Sequence, residues 1–411
     1  MTAMPARPAN LEALAGRTIL QIIPDLDAGG AERTTIDIAA ALAEAGARPL
    51  VACRGGRLIS ELQAKGGVWI EFPAAAKNPL RMALNVRRLR DVIRSEAVDL
   101  VHARSRAPAW VALGAARWAG IPFVTTWHGA YNGGSAPKLL YNSVMARADL
   151  VIANSHWTAE QIGLLHPWAR ERLRVIPRGA DMKQLTPDHV DVARVRALRE
   201  AWGVTPDQPI VLLAARLTGW KGQKVLIDAA KILVERGLEE TRFILAGDEQ
   251  GRSSYRAELE ARIANAGLGC IVRIVGHCAD MPAALLASAV VAVPSTEPEA
   301  FGRVAVEAQA MGVPAVVTAL GAAPETVLAP PRVEARLRTG WHVPPGDAQA
   351  LADAIEAALG LGASAREALA IRARAHVEQQ FSLHQMCAAT LDTYMALLEG
   401  AAGKPDLRAS P

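Results

Sequence analysis

Residues 294–318 read PSTEPEAFGRVAVEAQAMGVPAVVT, and two acids in this stretch, Glu299 and Glu307, decide how the chain is read. The apolar run Val290–Val293 precedes it and Val313–Thr318 closes it, so Gly302–Met311 reads as the helix of a βαβ unit. Glu299 then lies in the loop at the carboxyl end of a strand, and Glu307 lies inside the following helix. At a rise of about 1.5 Å per residue, Glu307 sits roughly two turns from the Gly302 end. Ligands of open parallel sheets bind in the crevice at these ends. The two carboxylates are thus spaced to meet opposite ends of one elongated ligand, although a solvated surface acid on a helix would produce the same letters.

Strand and helix patterns alternate from Thr18 almost to the end, which argues a parallel α/β architecture. The first strand, 18–23, runs into Pro24-Asp25-Leu26-Asp27-Ala28-Gly29-Gly30-Ala31-Glu32 and a helix to about Ala45. Gly29 and Gly30 let backbone amides approach an anion at a helix N-terminus. The spacing Gly-x-Gly-x-x-Gly is missing, and the strand at 49–53 ends in Arg54 rather than an acid, so a dinucleotide site is disfavoured. Further along, the strand at 122–126 delivers His128-Gly129 at its carboxyl end, where a histidine serves a ligand or a structural hydrogen bond. Asn154-Ser155 reads as the cap of a helix reaching Leu165. The strand 210–214 is followed by Arg216 and Lys221, five positions apart before a helix from Gln223. A guanidinium fork and an ammonium can converge there on one diphosphate.

Taken together, Glu299-x7-Glu307 with Pro294-Ser295 and Gly312-x-Pro314, Arg216-x4-Lys221-Gly222, His128-Gly129 and the Gly29-Gly30-x-Glu32 loop resemble the retaining glycosyltransferases of family 4. The resemblance extends from Thr18 to about Glu399. It implies a GT-B fold: two Rossmann-like parallel-sheet domains facing a central cleft, with a C-terminal helix crossing back to the first. It further implies that Arg216 and Lys221 clamp the donor pyrophosphate, that Glu307 meets the ribose hydroxyls and Glu299 the sugar hydroxyls, and that His128 faces the transferred sugar. By the same resemblance Gly29 and Gly30 face the donor phosphate and acceptor, Asp248 in Gly247-Asp248 borders the nucleotide, and the Gly276-His277 loop frames the base. Phe301, Gly302 and Arg303, between the two acids, fall to the donor site. Arg174-Val175-Ile176-Pro177-Arg178 resembles the exit strand of the first domain, with Arg178 where relatives usually have asparagine. Gly321-Ala322-Ala323-Pro324-Glu325 likewise has Ala322 for a second glycine. Asp25-x-Asp27 has the form of the metal pair of the other large glycosyltransferase fold, but it follows the first strand rather than most of a sheet, so no metal is expected.

A length of 411 residues with 51% hydrophobic and 21% charged residues suits two or three soluble domains. No signal-peptide block or apolar run of about 18 residues is visible, which points to a cytoplasmic protein. The scattered Cys53, Cys270, Cys278 and Cys387 have no metal spacing and read as free, mostly buried thiols. Residues 1–200 hold 26 Lys and Arg against 18 Asp and Glu, and the remainder holds 19 against 23. The basic first half suits an anionic partner, and its dispersed arginines without stacking aromatics argue against nucleic acid. Arg87, Arg90 and Arg94 share one face of the helix at 80–95, a stripe suited to anionic headgroups or simply to water.

The polar, proline-bearing stretch 188–208 puts a domain boundary near 200. The expected organisation is a flexible 1–16, a first domain 17–200 joined by the crossover helix 381–400, a second domain 201–380 and a tail 401–411. The resulting expectation is a retaining, metal-independent transferase, moving sugar from a nucleotide-diphosphate donor to a saccharide or lipid-linked acceptor in surface polysaccharide or lipopolysaccharide assembly, with peripheral membrane contact. The alternatives are an epimerase or hydrolase of the same fold, or a non-catalytic nucleotide-sugar binding module.

Overall fold

The computed structural model describes residues 14–27, 29–76, 78–129 and 135–402. Most of the 1–16 segment and of the 401–411 tail lies outside the described residues, as do Ala28 and Ala130. The chain forms two compact units, Met1–Arg178 with Leu383–Pro411, and Gly179–Ser382.

The first unit carries β1 (Thr18–Ile22), α1 (Gly30–Glu44), β2 (Arg48–Cys53), α2 (Ile59–Ala64), β3 (Val68–Glu71), α3 (Pro79–Ser95), β4 (Leu100–Ala103), α4 (Arg106–Ala119), β5 (Phe123–Trp127), α5 (Ala136–Asn142), β6 (Leu150–Ala153), α6 (His156–Leu165) and β7 (Leu173–Val175). Its strands are all parallel in the order β3-β2-β1-β4-β5-β6-β7. Near-continuous apolar runs such as the fully buried β1 and β5 are what a sheet covered on both faces requires.

The second unit follows with α7 (Val192–Ala201), β8 (Ile210–Ala214), α8 (Gln223–Glu235), β9 (Arg242–Ala246), α9 (Ser253–Asn265), β10 (Val272–Gly276), α10 (Met281–Leu286), β11 (Val290–Val293), α11 (Arg303–Ala310), β12 (Ala315–Thr318), α12 (Ala323–Thr326), β13 (Gly340–Val343), α13 (Ala348–Leu359) and α14 (Ala363–Phe381). Its sheet runs β10-β9-β8-β11-β12-β13, again parallel. In both sheets the order reverses after the first strand of the unit, so each has a switch point, at β1/β4 and at β8/β11, with a crevice at the carboxyl ends.

The last helix, α15 (Leu383–Ala402), belongs to the first unit. Met386, Leu391, Tyr394 and Met395 pack with Ile19, Ile38 and Leu42 in one apolar cluster. Tyr394 is fully buried, and its Oη lies 2.6 Å from Nδ1 of His102, whose Nε2 is 2.7 Å from Thr126 Oγ1. Burial, with Arg104 and His128 nearby, pushes the His102 imidazole well below its usual pKa, so the ring is neutral. Replacing Tyr394 with Phe keeps the packing but strands a buried ring nitrogen. The expected cost is about 1–3 kcal/mol, and an unchanged calorimetric transition of this unit would contradict it.

Three expectations about local structure change. Arg90 does not share a solvated stripe with Arg87 and Arg94: it pairs with Asp91 and lies 4.1 Å over the Trp118 ring, its side chain only 14% exposed. The thiols are free, but only Cys53 is buried, Cys278 and Cys387 are half-buried and Cys270 is exposed. The stretch after 188 contains α7, whose Val195 and Leu198 pack on the core of the second unit, and the chain divides between Arg178 and Gly179.

Candidate functional site

In the second unit the switch point makes β8 and β11 neighbours, so the loops leaving them run side by side. Lys221, on the loop after β8, places Nζ 2.7 Å from Oε1 of Glu299, on the loop after β11. Ser295 Oγ donates to the same carboxylate oxygen. Both charged side chains are largely covered, at 17% and 12% exposed, so the ion pair is poorly screened. Lys221 also lies 4.2 Å over the Trp220 ring.

Glycines allow this close approach. Gly222 adopts a left-handed φ of 75°, and a methyl group there would strike the Pro294 carbonyl. Gly321 (φ 65°) would strike the Glu299 backbone, with which it forms an isolated bridge, and Ala322 N donates to Glu299 O at 2.9 Å. Gly247 packs likewise on Ala215. Adjacent crevice loops thus touch backbone to backbone, and Ala322, in place of a second glycine, is fully buried without obstructing that contact.

Arg216 is exposed at the same junction, with Nη1 3.5 Å from Gln250 Oε1. Its carbonyl accepts from the buried Gln223 Nε2 at 2.9 Å, which anchors the backbone while leaving the guanidinium outside. Asp248 is also exposed; its carbonyl accepts from Leu217 N and its Oδ1 from Gln250 N. Glu307 pairs with Arg303 one turn away at 2.7 Å, and Gly302 caps α11 with φ 82°. The Phe301 ring is 4% exposed and packs edge-on against Phe381, so its side chain serves the core. His277 is exposed on the loop after β10.

In the first unit His128 follows β5 and is half-buried. Nη2 of Arg178 lies 3.1 Å from its Nδ1 and 3.3 Å from its carbonyl oxygen. Burial first, then Arg178 and Arg104, hold the ring well below its usual pKa, so it is uncharged. Its Nε2 is buried with no partner among the described residues. Gly29 caps α1 and Gly30 begins it; a methyl at Gly29 would strike the Glu32 carboxylate, whose pKa burial raises. Asp25 is held by Arg54 at 2.8 and 2.7 Å, and Asp27 accepts from Arg57 N. Among the described residues no three His, Cys, Asp or Glu side chains cluster as metal ligands.

Sequence reasoning gave Ser295 and Trp220 no role of their own and read Asn154 only as part of a helix cap. Ser295 was within reach, since it stands four residues before Glu299 at a strand end. Of Asn154-Ser155, only the serine caps α6, accepting from Thr158 N at 3.0 Å. Both polar atoms of Asn154 are buried at the carboxyl end of β6 with no partner among the described residues.

Comparison with known proteins places the chain among glycosyltransferases. The family model described as Glycosyltransferase Family 4 matches residues 28–184, and that described as Glycosyl transferases group 1 matches 195–376. A D-inositol 3-phosphate glycosyltransferase of Xylanimonas cellulosilytica is 33% identical over 329 residues, 74% of each chain. Among solved structures, a glycosyltransferase of Rickettsia africae is similar with a TM-score of 0.85 at 32% identity, covering 93% of this chain and 99% of that one. HepE of Anabaena, solved in complex with UDP and glucose, is similar with a TM-score of 0.79 at 28% identity, covering 92% and 100%. With a third of its residues shared over three quarters of a curated relative, and the same two-sheet fold throughout, the chain belongs to glycosyltransferase family 4 and is a glycosyltransferase of the GT-B type.

Proposed function

We propose that the protein transfers a sugar, with retention of configuration and without a metal ion, from a nucleoside-diphosphate donor to a saccharide or lipid-linked acceptor. The observation that carries this reading is the covered Lys221–Glu299 pair at the β8/β11 switch point. A cation and an acid in contact before substrate arrives fit a donor that presents an anionic diphosphate next to a hydroxyl-bearing ring. The diphosphate takes the ammonium, and the freed carboxylate of Glu299 accepts hydrogen bonds from sugar hydroxyls. Arg216 adds its fork to the leaving oxygens, and Glu307, inside α11, takes the ribose hydroxyls.

Breaking the sugar C1–O bond leaves the electron pair on the β-phosphate oxygen, where Lys221 and Arg216 stabilise it. The acceptor hydroxyl attacks C1 from the same face, and its proton passes to that oxygen. Two carboxyl groups about 5–5.5 Å apart mark double displacement in retaining glycosidases; the groups beside Glu299 are instead the Lys221 ammonium and the Ser295 hydroxyl. A glycosyl group found covalently on Glu299 by mass spectrometry would overturn the front-face route.

Homologous HepE was solved with UDP-glucose, which supports a nucleotide-sugar donor here. The inositol phosphate named for the Xylanimonas relative favours an acceptor carrying a phosphate. Two clefts of the first unit, of about 630 and 760 Å³, share Arg54, and Arg81, Arg88 and Arg106 line them. We assign the pathway to surface polysaccharide or lipopolysaccharide assembly at the cytoplasmic face of a membrane. Exposed Leu80 and Leu84, with Arg87 and Arg94 on the same helix, supply the peripheral contact. Among the described residues no helix is long and apolar enough to cross a membrane. Sedimentation with anionic vesicles should fall when Leu84, Arg87 and Arg94 become Glu; unchanged sedimentation sinks the contact.

The direct test is incubation with UDP-, GDP- and ADP-sugars, with and without envelope lipid extract, in buffer containing EDTA. Acceptor-dependent nucleotide release that survives EDTA is expected. Equal release without acceptor would favour a hydrolase or epimerase, and donor binding with no release a binding module.

A further inference from the structure

Arg178 ends the first unit after β7, and its guanidinium reaches back to the residue that follows β5. The 3.1 Å approach of Nη2 to His128 Nδ1 fixes a hydrogen position without any need to see hydrogens. A guanidinium can only donate, so Nδ1 must present its lone pair. In an uncharged ring the single proton is then on Nε2. The second contact of Nη2, to the His128 carbonyl at 3.3 Å, holds the ring and its own backbone to one anchor. Nε2 itself is buried and has no acceptor among the described residues. Buried N–H groups are almost always paired, so this hydrogen is aimed at something that the described residues do not supply.

Arg178 also acts on the glycine turn. Its charge opposes the burial that raises the Glu32 pKa, and the Glu32 carboxylate occupies the space that a side chain at Gly29 would fill. One side chain therefore fixes the histidine and biases the acid of the turn in which the glycines open a path to the backbone.

We propose that Arg178 is a positioning residue that locks His128 as the Nε2–H tautomer, so that the site selects a substrate with an oxygen lone pair at that point, a hydroxyl or a phosphate oxygen. The effect on turnover rests on the transferase reading above; the tautomer does not. Histidines working through a hydrogen bond are sensitive to this choice, because the wrong tautomer presents a lone pair where a hydrogen is needed.

The test is long-range 1H–15N correlation of the imidazole nitrogens in the full-length protein labelled at histidine, with His128→Gln identifying its signals. An unprotonated Nδ1 and a protonated Nε2 are expected. Arg178→Lys keeps a donor and should keep both the tautomer and most of kcat/KM. Arg178→Met removes the donor, and Arg178→Glu substitutes an acceptor that draws the proton to Nδ1. Losses in kcat/KM of about tenfold and about a hundredfold are expected, with circular dichroism unchanged. A protonated Nδ1 in the unaltered protein overturns the proposal, as does an Arg178→Glu variant with the original tautomer. If the tautomer follows the variants but no nucleotide sugar is consumed by any of them, the transferase reading fails while the lock stands.

Discussion

Lys221→Ala should lower sugar transfer about a thousandfold, in line with the loss of one preorganised donor to a developing anion, while the fold survives. The ammonium is paired with Glu299, and it sits on a loop end, not in the apolar clusters that hold the sheet. Glu299→Gln separates the two roles of the pair. With its partner neutral, Lys221 is free for phosphate, so nucleotide binding should be retained or tightened while turnover falls by a comparable factor. Isothermal titration with nucleotide and initial rates with nucleotide sugar measure the two effects. A Lys221→Ala enzyme that keeps a tenth of its activity would show that the diphosphate is held elsewhere.

Gly222→Ala should be the most damaging single methyl in the second unit. A left-handed alanine costs about 1–2 kcal/mol. Here the new carbon also meets the backbone of Pro294, which cannot rotate away as a flexible side chain would, and overpacking of this kind adds about 1–3 kcal/mol. Relief requires the loops bearing Lys221 and Glu299 to part. A loss of about 10 °C in the melting temperature with little remaining transfer is expected. Gly237, at φ 91° with nothing within 4 Å of the added carbon, is the control: Gly237→Ala should show the backbone cost alone. Equal melting temperatures for the two variants would remove the argument from loop contact.

The order and type of the main elements could be read because buried parallel strands announce themselves as short apolar runs. β1, β5, β8 and β11 begin and end within a residue or two of the sequence expectation. Short or polar elements gave no such signal. α2 has six residues and β13 four, and α9 buries only Leu259 and Ile263 of its thirteen. Prolines at 187, 206 and 209 drew the boundary toward 200, whereas the apolar side of α7 ties that stretch to the second unit. Placing Glu299 in a loop and Glu307 in a helix needed only local periodicity. Their partners could not be read the same way. Lys221 is 78 positions from Glu299 and Arg178 is 50 from His128, and both contacts depend on sheet order and a returning chain. Arg90 shows the reverse failure, a helical face counted correctly without knowledge of the Trp118 ring lying beneath it.

The central claim is that Lys221 leaves Glu299 for the donor diphosphate. A crystal structure of the protein with a bound nucleotide sugar tests it most directly. The account predicts Lys221 Nζ and the Arg216 guanidinium within hydrogen-bond distance of phosphate oxygens, and Glu299 on the sugar hydroxyls. An intact Lys221–Glu299 pair in that complex, with the phosphates bound by other groups, would contradict it.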